Sequence, residues 1–269
     1  MRVSGIIRKM KVRPETPISY ALPVGEELVE MNPLLGQTIE ISWSGSIFCI
    51  NCSRRTNKSF NQGYCYPCFQ RLAECDMCVV KPERCHFHEG TCRQPDWGRE
   101  HCFQPHTVYI ANSSALKVGI TRGRDPRTRW IDQGASQALA IRTVPNRLEA
   151  GRLEVALSGF VGDKTNWRKM LKGAPEILDL EAERDRLMGE LEAHRPDFAP
   201  PGEPLADASP MELSYPIEQF PEKIIAHNFD KVAVLSGELA GIKGQYLYVG
   251  DNVVNMRKYA GYDMTIATP

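Results

Sequence analysis

The sequence predicts an α+β protein: a small β-domain from N- and C-terminal strands, an inserted cysteine-rich zinc module, and a central α/β module. Three observations predict it. Apolar and polar residues alternate near both ends of the chain, the period of a half-buried strand. All nine cysteines fall between residues 49 and 102. From 107 to 172 the pattern runs strand, strand, helix, strand, helix. The expected boundaries are 1–47 for N-terminal strands, 48–105 for the cysteine module and 106–172 for the central module. An acidic helix and Pro-rich linker follow over 173–211, then C-terminal strands over 212–269 that pack with 1–47.

The terminal strands rest on side-chain alternation. Ile18–Leu22 and Ile39–Trp43 read apolar–polar in turn, and residues 222–266 return to the same period. Gly250-Asp251-Asn252, between Gln245–Val249 and Val253–Arg257, is a hairpin signal.

At 269 residues, with 42% apolar and 25% charged side chains, the chain is long and apolar enough to bury a core. No apolar run approaches the ~18 residues of a membrane span, which excludes helical membrane proteins. The N-terminus lacks an apolar signal region, so the expected compartment is a reducing cytoplasm. There, clustered cysteines are metal ligands rather than disulfides. Net charge is zero but uneven: +2 over 1–110, +7 over 111–172 and −9 over 173–269. The basic middle suits a polyanion, or else it docks on the acidic tail.

The cysteines form two groups. Cys49-x2-Cys52, twelve residues, then Cys65-x2-Cys68 is the spacing of a zinc ribbon, two knuckles giving four thiolates to one tetrahedral zinc. Gly63 supports a tight turn before the second knuckle. Cys75-x2-Cys78 starts a second group whose partners stay open among Cys85, Cys92, Cys102, His86, His88 and His101, with thiolates favoured. Two structural zinc ions are expected, because four thiolates leave no open position for substrate or water. Phe60, Tyr64, Tyr66 and Phe69, beside Arg54, Arg55 and Lys58, either pack around the metal or stack on bases.

In the central module, Thr107–Ala111 and Leu116–Thr121 flank the short polar turn Asn112-Ser113-Ser114, setting Tyr109 and Lys117–Gly119 on neighbouring strands. Asp125 and Pro126 then start a helix containing Arg129 and Trp130. Glu154 lies in a second helix, on a face shared with Arg147, Ala150, Gly151 and Ser158. Small residues on that face would let Glu154 approach the sheet. Leu153, Leu157 and Phe160 form the core stripe.

On these residues the segment 106–170 resembles the GIY-YIG nuclease superfamily. Thr107-Val108-Tyr109 stands at the first triplet and Lys117-Val118-Gly119 at the second. Arg129 stands at the helix arginine, Glu154 at the metal-binding glutamate, and Thr165-Asn166-Trp167 at a tryptophan site of short members. Thr107 replaces a glycine, and Lys117 replaces a tyrosine. The whole chain is also similar to an uncharacterised bacterial family recorded as a domain of unknown function.

The superfamily resemblance implies a catalytic set of Tyr109, Lys117, Arg129 and Glu154. Tyr109 would deprotonate or position the attacking water, with Lys117 lowering its pKa. Arg129 would neutralise the scissile phosphate, and Glu154 would hold Mg2+ or Mn2+. Arg122, Arg124, Arg127 and Trp130 would contact DNA or RNA. Each residue also has a plain structural reading: tyrosine as packing, arginines as solvated charge, Glu154 paired with Arg147 or Lys164. The expected function is therefore a zinc-containing phosphodiesterase on nucleic acid. The alternatives are a non-catalytic nucleic-acid binder, or an interaction protein that docks a protein partner through an Ile177–Leu191 helix face. At the C-terminal end, Lys243, Tyr246, Tyr248, Arg257, Lys258 and Tyr259 interleave bases and aromatics, a pattern of single-strand binding or of a β-domain's outer face.

Overall fold

The computed structural model describes residues 1–161 and 166–269. The chain divides into two compact units: residues 1–70, 171–173 and 214–269 in one, 71–170 and 174–213 in the other. The stretch 48–105, expected as a single cysteine module, is therefore cut after residue 70. Four cysteines belong to the first unit and five to the second.

The first unit joins both chain ends in one sheet. Arg2–Ile6 pairs antiparallel with Tyr262–Ala267, setting Arg2 opposite Ala267. Tyr262–Ala267 then pairs with the long strand Thr38–Phe48, whose other edge takes Val234–Lys243. Alternation drives this: Ile39, Ile41, Met264 and Ile266 are buried, while their neighbours face partly outward. Each such burial contributes roughly 1.5–3 kcal/mol. Tyr246–Val249 and Asn252–Asn255 form the expected hairpin, turning on Gly250 in the left-handed region at φ 53°. A separate three-stranded sheet comprises Lys11–Arg13, Ser19–Val24 and Glu27–Glu30.

Burial corrects the reading of the C-terminal basic–aromatic segment as a stacking surface. Lys243, Tyr248 and Tyr259 are all buried. Lys243 Nζ donates to the Gly173 carbonyl at 3.3 Å, and the Tyr248 hydroxyl donates to that of Leu171 at 3.2 Å. These side chains fasten the segment 171–173, the end of helix Trp167–Lys172 and the residue after it, into the first unit.

The second unit is built on a sheet ordered Glu203–Pro204, Gln137–Val144, His106–Asn112 and Leu116–Arg122, with Met211–Glu212 also on Gln137–Val144. Val108, Ile110, Val118, Ile120, Leu139 and Ile141 form one buried face. Leu153 and Leu157 of helix Arg147–Ser158, and Leu180, Leu187 and Leu191 of helix Leu180–His194, complete that core. Asn146 caps the first of these helices by accepting the Glu149 N–H, worth about 1 kcal/mol. Asp179 caps the second in the same way, accepting from Ala182.

Two expectations for 173–211 change. Ile177 lies before the Asp179 cap and is 75% exposed, so it is not part of the apolar face. Leu180, Leu187 and Leu191 are committed to the core, which removes them as a docking face for a partner. The Pro-rich stretch is no free linker. Glu203 and Pro204 pair with Thr143 and Arg142, and the Arg142 guanidinium donates to the carbonyls of Pro200, Pro201 and Gly202. Pro-rich backbone has few N–H donors, so an arginine reading its carbonyls is an economical clasp.

Candidate functional site

The first cysteine group is assembled by local turns. Strand Thr38–Phe48 runs directly into Cys49, and Arg55–Thr56 pairs back onto its end. Ser53 donates its N–H to the Cys49 carbonyl, closing the first knuckle. Before the second knuckle, Gly63 has φ 135°, and a Cβ there would lie 2.8 Å from Ile50. The Sγ atoms of Cys49, Cys52, Cys65 and Cys68 all lie within 4.8 Å of one another. Cys52 and Cys65 sulfurs are 3.7 Å apart. A tetrahedron with zinc–sulfur bonds of 2.3 Å has an edge of about 3.8 Å, so the geometry suits zinc.

The charges agree with a cation. Burial works against the Cys49 thiolate, but the backbone N–H groups of Cys65, Cys52 and Asn51 bring its pKa down to about 6. Asn51 donates to Cys68 Sγ at 3.3 Å, yet burial and the other three sulfurs push Cys68 up to about 12. Four neighbouring thiols cannot all ionise unless a positive ion joins them. The aromatics around this centre pack on one another: Phe60 meets Tyr66 at 5.3 Å and Phe69 at 5.7 Å.

The other five cysteines fall in the second unit. Cys78, Cys85, Cys92 and Cys102 line one small cavity of about 20 Å³, together with Asp76, His86, Phe87 and Arg93. Cys75, the expected knuckle partner of Cys78, does not line it.

The four residues singled out as catalytic gather in the same unit. Tyr109 is fully buried on strand His106–Asn112 and donates its hydroxyl to Gln133 Oε1 at 2.8 Å. Burial pushes its pKa up to about 12, although the Arg129 guanidinium, hydrogen-bonded to it, pulls the other way and Glu154 adds to the rise. Lys117 does not lower it, contrary to expectation. The Lys117 ammonium is itself pushed down to about 8, by burial and then by the Arg129 charge. Glu154 is half-buried, which raises its pKa against the pull of Arg129 and Arg147, with Glu83 adding to the rise. Arg129 thus acts on Tyr109, Lys117, Glu154 and Arg147 together.

Four further residues complete the picture, and only Arg147 carried a sequence signal, its place on the Glu154 face. Gln133 takes the tyrosine's proton end. Glu83 brings a second carboxylate to Glu154. Arg147 donates its side chain to the Val79 carbonyl and its backbone N–H to that of Cys102. His106 is wholly buried, with Nδ1 2.7 Å from the Gln104 carbonyl, and burial pushes its pKa down to about 4. The small face beside Glu154 meets the turn at Pro82, not the sheet: a Cβ on Gly151 would lie 2.5 Å from Pro82 Cβ and 2.6 Å from Glu83 N.

The expected nucleic-acid contacts divide. Arg122, Arg124 and Arg127 are exposed, but Arg127 forms an ion pair with Asp125 at 2.7 Å. Trp130 is only 5% exposed and packs edge-on to Tyr109 at 6.0 Å, so most of its ring is committed to the core. An open groove of about 410 Å³ runs past Arg124, Arg127, Ala140 and Met211, and Trp130 contributes to its wall. Thr165 and Lys164 lie outside the described residues. No described helix is long and apolar enough to cross a membrane.

No curated protein and no solved structure matches the chain. A family model does match, over residues 36–264, most of the sequence and both units. On that match the chain belongs to the family described as Protein of unknown function (DUF2797).

Proposed function

We propose that the second unit is a divalent-metal-dependent phosphodiesterase centre of the GIY-YIG type, acting on DNA or RNA. One observation carries this reading. Tyr109, Arg129 and Glu154 come from a strand and two different helices, yet Arg129 lies close enough to act on both Tyr109 and Glu154, and Glu154 on Tyr109. Their chain order is that of the superfamily motif.

Glu154 has no ion-pair or hydrogen-bond partner for its carboxylate among the described residues, and Glu83 adds charge beside it. That donor set suits Mg2+ or Mn2+, which take one or two carboxylates and fill the rest with water and phosphate oxygen. The bound cation would neutralise charge on the departing oxygen.

The chain's own residues supply the rest. Arg129 pairs with the scissile phosphate. Tyr109, with its pKa near 12, keeps its proton at neutral pH, so it orients the attacking water rather than deprotonating it. Lys117, near 8, is about one-quarter unprotonated at pH 7.5 and is the proton acceptor. The water oxygen attacks phosphorus, its proton passes to the Lys117 amine, and the bond from phosphorus to the leaving alkoxide breaks. The zinc at Cys49, Cys52, Cys65 and Cys68 is structural, since four thiolates saturate it.

The test is cleavage of plasmid DNA and of structured RNA by the full chain with Mg2+ or Mn2+, against Glu154→Gln. Metal-dependent cleavage lost in the variant supports the reading; no cleavage by wild type, or equal cleavage by both, ends it. A second reading, binding without cleavage, draws on the exposure of Arg122 and Arg124. It predicts salt-sensitive binding that drops when both are neutralised.

A further inference from the structure

We propose that Cys78, Cys85, Cys92 and Cys102 bind a second zinc ion, that Cys75 stays outside the ligand set, and that this centre braces the helix carrying Glu154. The four thiols come from four separate points along residues 78–102 and line one cavity of about 20 Å³, room for a single ion. The intervals Cys78-x6-Cys85-x6-Cys92-x9-Cys102 bring one ligand from each of four short segments.

The surrounding chain needs such a centre. Residues 73–101 contain only short helical pieces, Ala73–Cys75, Met77–Val80, Pro82–Arg84, Phe87–Glu89 and Pro95–His101. Helices this short do not hold themselves in water. Met77 and Val80 are exposed, so apolar burial does not hold them either. Metal binding supplies folding free energy where a core is missing.

Asp76, Cys78 and His86 also offer ligand atoms within 4.8 Å of one another, with His86 Nε2 3.6 Å from Asp76 Oδ2, and they are the rival donor set. Asp76 Oδ2 pairs with Arg93 Nε at 2.7 Å, and Oδ1 caps the next helix through the Cys78 N–H. His86 Nδ1 is 2.7 Å from Thr91 Oγ1. His101 stacks on Trp97 at 4.3 Å, and His88 sits edge-on to Phe87 and Phe103. Of these groups Asp76, His86, Phe87, Arg93 and Trp97 line the cavity with the thiols. Gly98 allows close approach, since a Cβ there would lie 3.4 Å from Cys92 Sγ.

A positive group waits beside the cavity. Arg147 senses the charge of Cys78 and Cys102, and its buried Nε has no acceptor among the described residues. A zinc with four thiolates carries net charge −2, and such a centre would give that N–H a sulfur to meet. Arg147 opens the helix Arg147–Ser158, its N–H held by the Cys102 carbonyl, and Gly151 one turn later abuts Pro82. The metal centre and the glutamate helix therefore share one seam.

Metal counting on the untagged full chain tests this, whether or not the protein cuts nucleic acid. We expect two zinc ions per chain in the wild type and in Cys75→Ser, and one in Cys85→Ser. We also expect faster amide exchange over Arg147–Ser158 in Cys85→Ser. One zinc in the wild type, loss of an ion in Cys75→Ser, or retention of both in Cys85→Ser overturns the ligand set; unchanged exchange overturns the bracing. If Cys85→Ser does not fold, X-ray absorption of the wild type decides. Four sulfurs per zinc, averaged over both ions, supports the proposal, and a nitrogen or oxygen ligand overturns it.

Discussion

A Cβ atom added to Gly119 would lie 2.6 Å from the hydroxyl oxygen of Tyr109, its partner across the strand pair. The tyrosine ring occupies the space that a side chain at 119 would need. Glycine is required here for close approach, not for its backbone angles. Gly119→Ala should destabilise the protein by about 1–3 kcal/mol through overpacking. In a Tyr109→Leu background the same change should cost much less, because the colliding atoms are gone. Denaturant unfolding of the four proteins in this cycle measures it; equal costs in both backgrounds would refute the packing account.

Loss of the Glu154 carboxylate should reduce cleavage by about 10²–10⁴-fold and abolish its dependence on Mg2+. Arg129→Ala should lose about 10²–10³-fold. Tyr109→Phe should lose far less, about tenfold, since a tyrosine that keeps its proton serves only by position. Single-turnover rates on one labelled substrate rank the three. A Tyr109→Phe loss as deep as that of Glu154→Gln would make the tyrosine, rather than Lys117, the base.

Lys117 sets the expected pH profile. Its pKa is pushed down to about 8, so the unprotonated amine increases as pH rises through that value. Cleavage should climb with pH and level off above about 8. Lys117→Arg, which stays protonated, should lose this limb and about 10²-fold in rate. An unchanged profile in the variant rules out the assignment.

His106 predicts an acid sensitivity of the fold. Burial lowers its folded pKa to about 4, below the ordinary 6.5. Between those values the unfolded chain binds the extra proton, so stability falls as pH drops from 6.5 toward 4. At pH 4.5 the loss is roughly 2–3 kcal/mol. His106→Leu should be less sensitive by that amount when unfolding free energies at pH 7 and 4.5 are compared.

At the first cysteine centre, Asn51→Ala removes the hydrogen bond to Cys68 Sγ without removing a ligand. Zinc stoichiometry should hold while affinity drops about 10–100-fold, measured by competition with a chromogenic chelator. Cys65→Ser should instead lose the ion and lower the melting temperature.

The first cysteine group was legible because its ligands sit on two local knuckles. The proposed quartet of Tyr109, Lys117, Arg129 and Glu154 was legible as an ordered motif. What it would do chemically was not legible. The sequence suggested that Lys117 would lower the Tyr109 pKa; instead burial raises one and lowers the other, because desolvation disfavours whichever form is charged. Trp130 read as a nucleic-acid contact, and most of its ring is buried edge-on against Tyr109.

The sequence by itself determined what repeats over a few residues: the alternation of Ile39 and Ile41, the Gly250 turn, the Cys49–Cys68 spacing. Only the tertiary structure decided what depends on residues far apart. It joined Arg2–Ile6 to Tyr262–Ala267, chose which later cysteines share a cavity, sent Gly151 to Pro82, and buried Tyr109 under Arg129 and Gln133. The reason is physical. Periodicity is fixed by backbone geometry within one element, whereas burial, dielectric and close approach are set by whatever other element packs there.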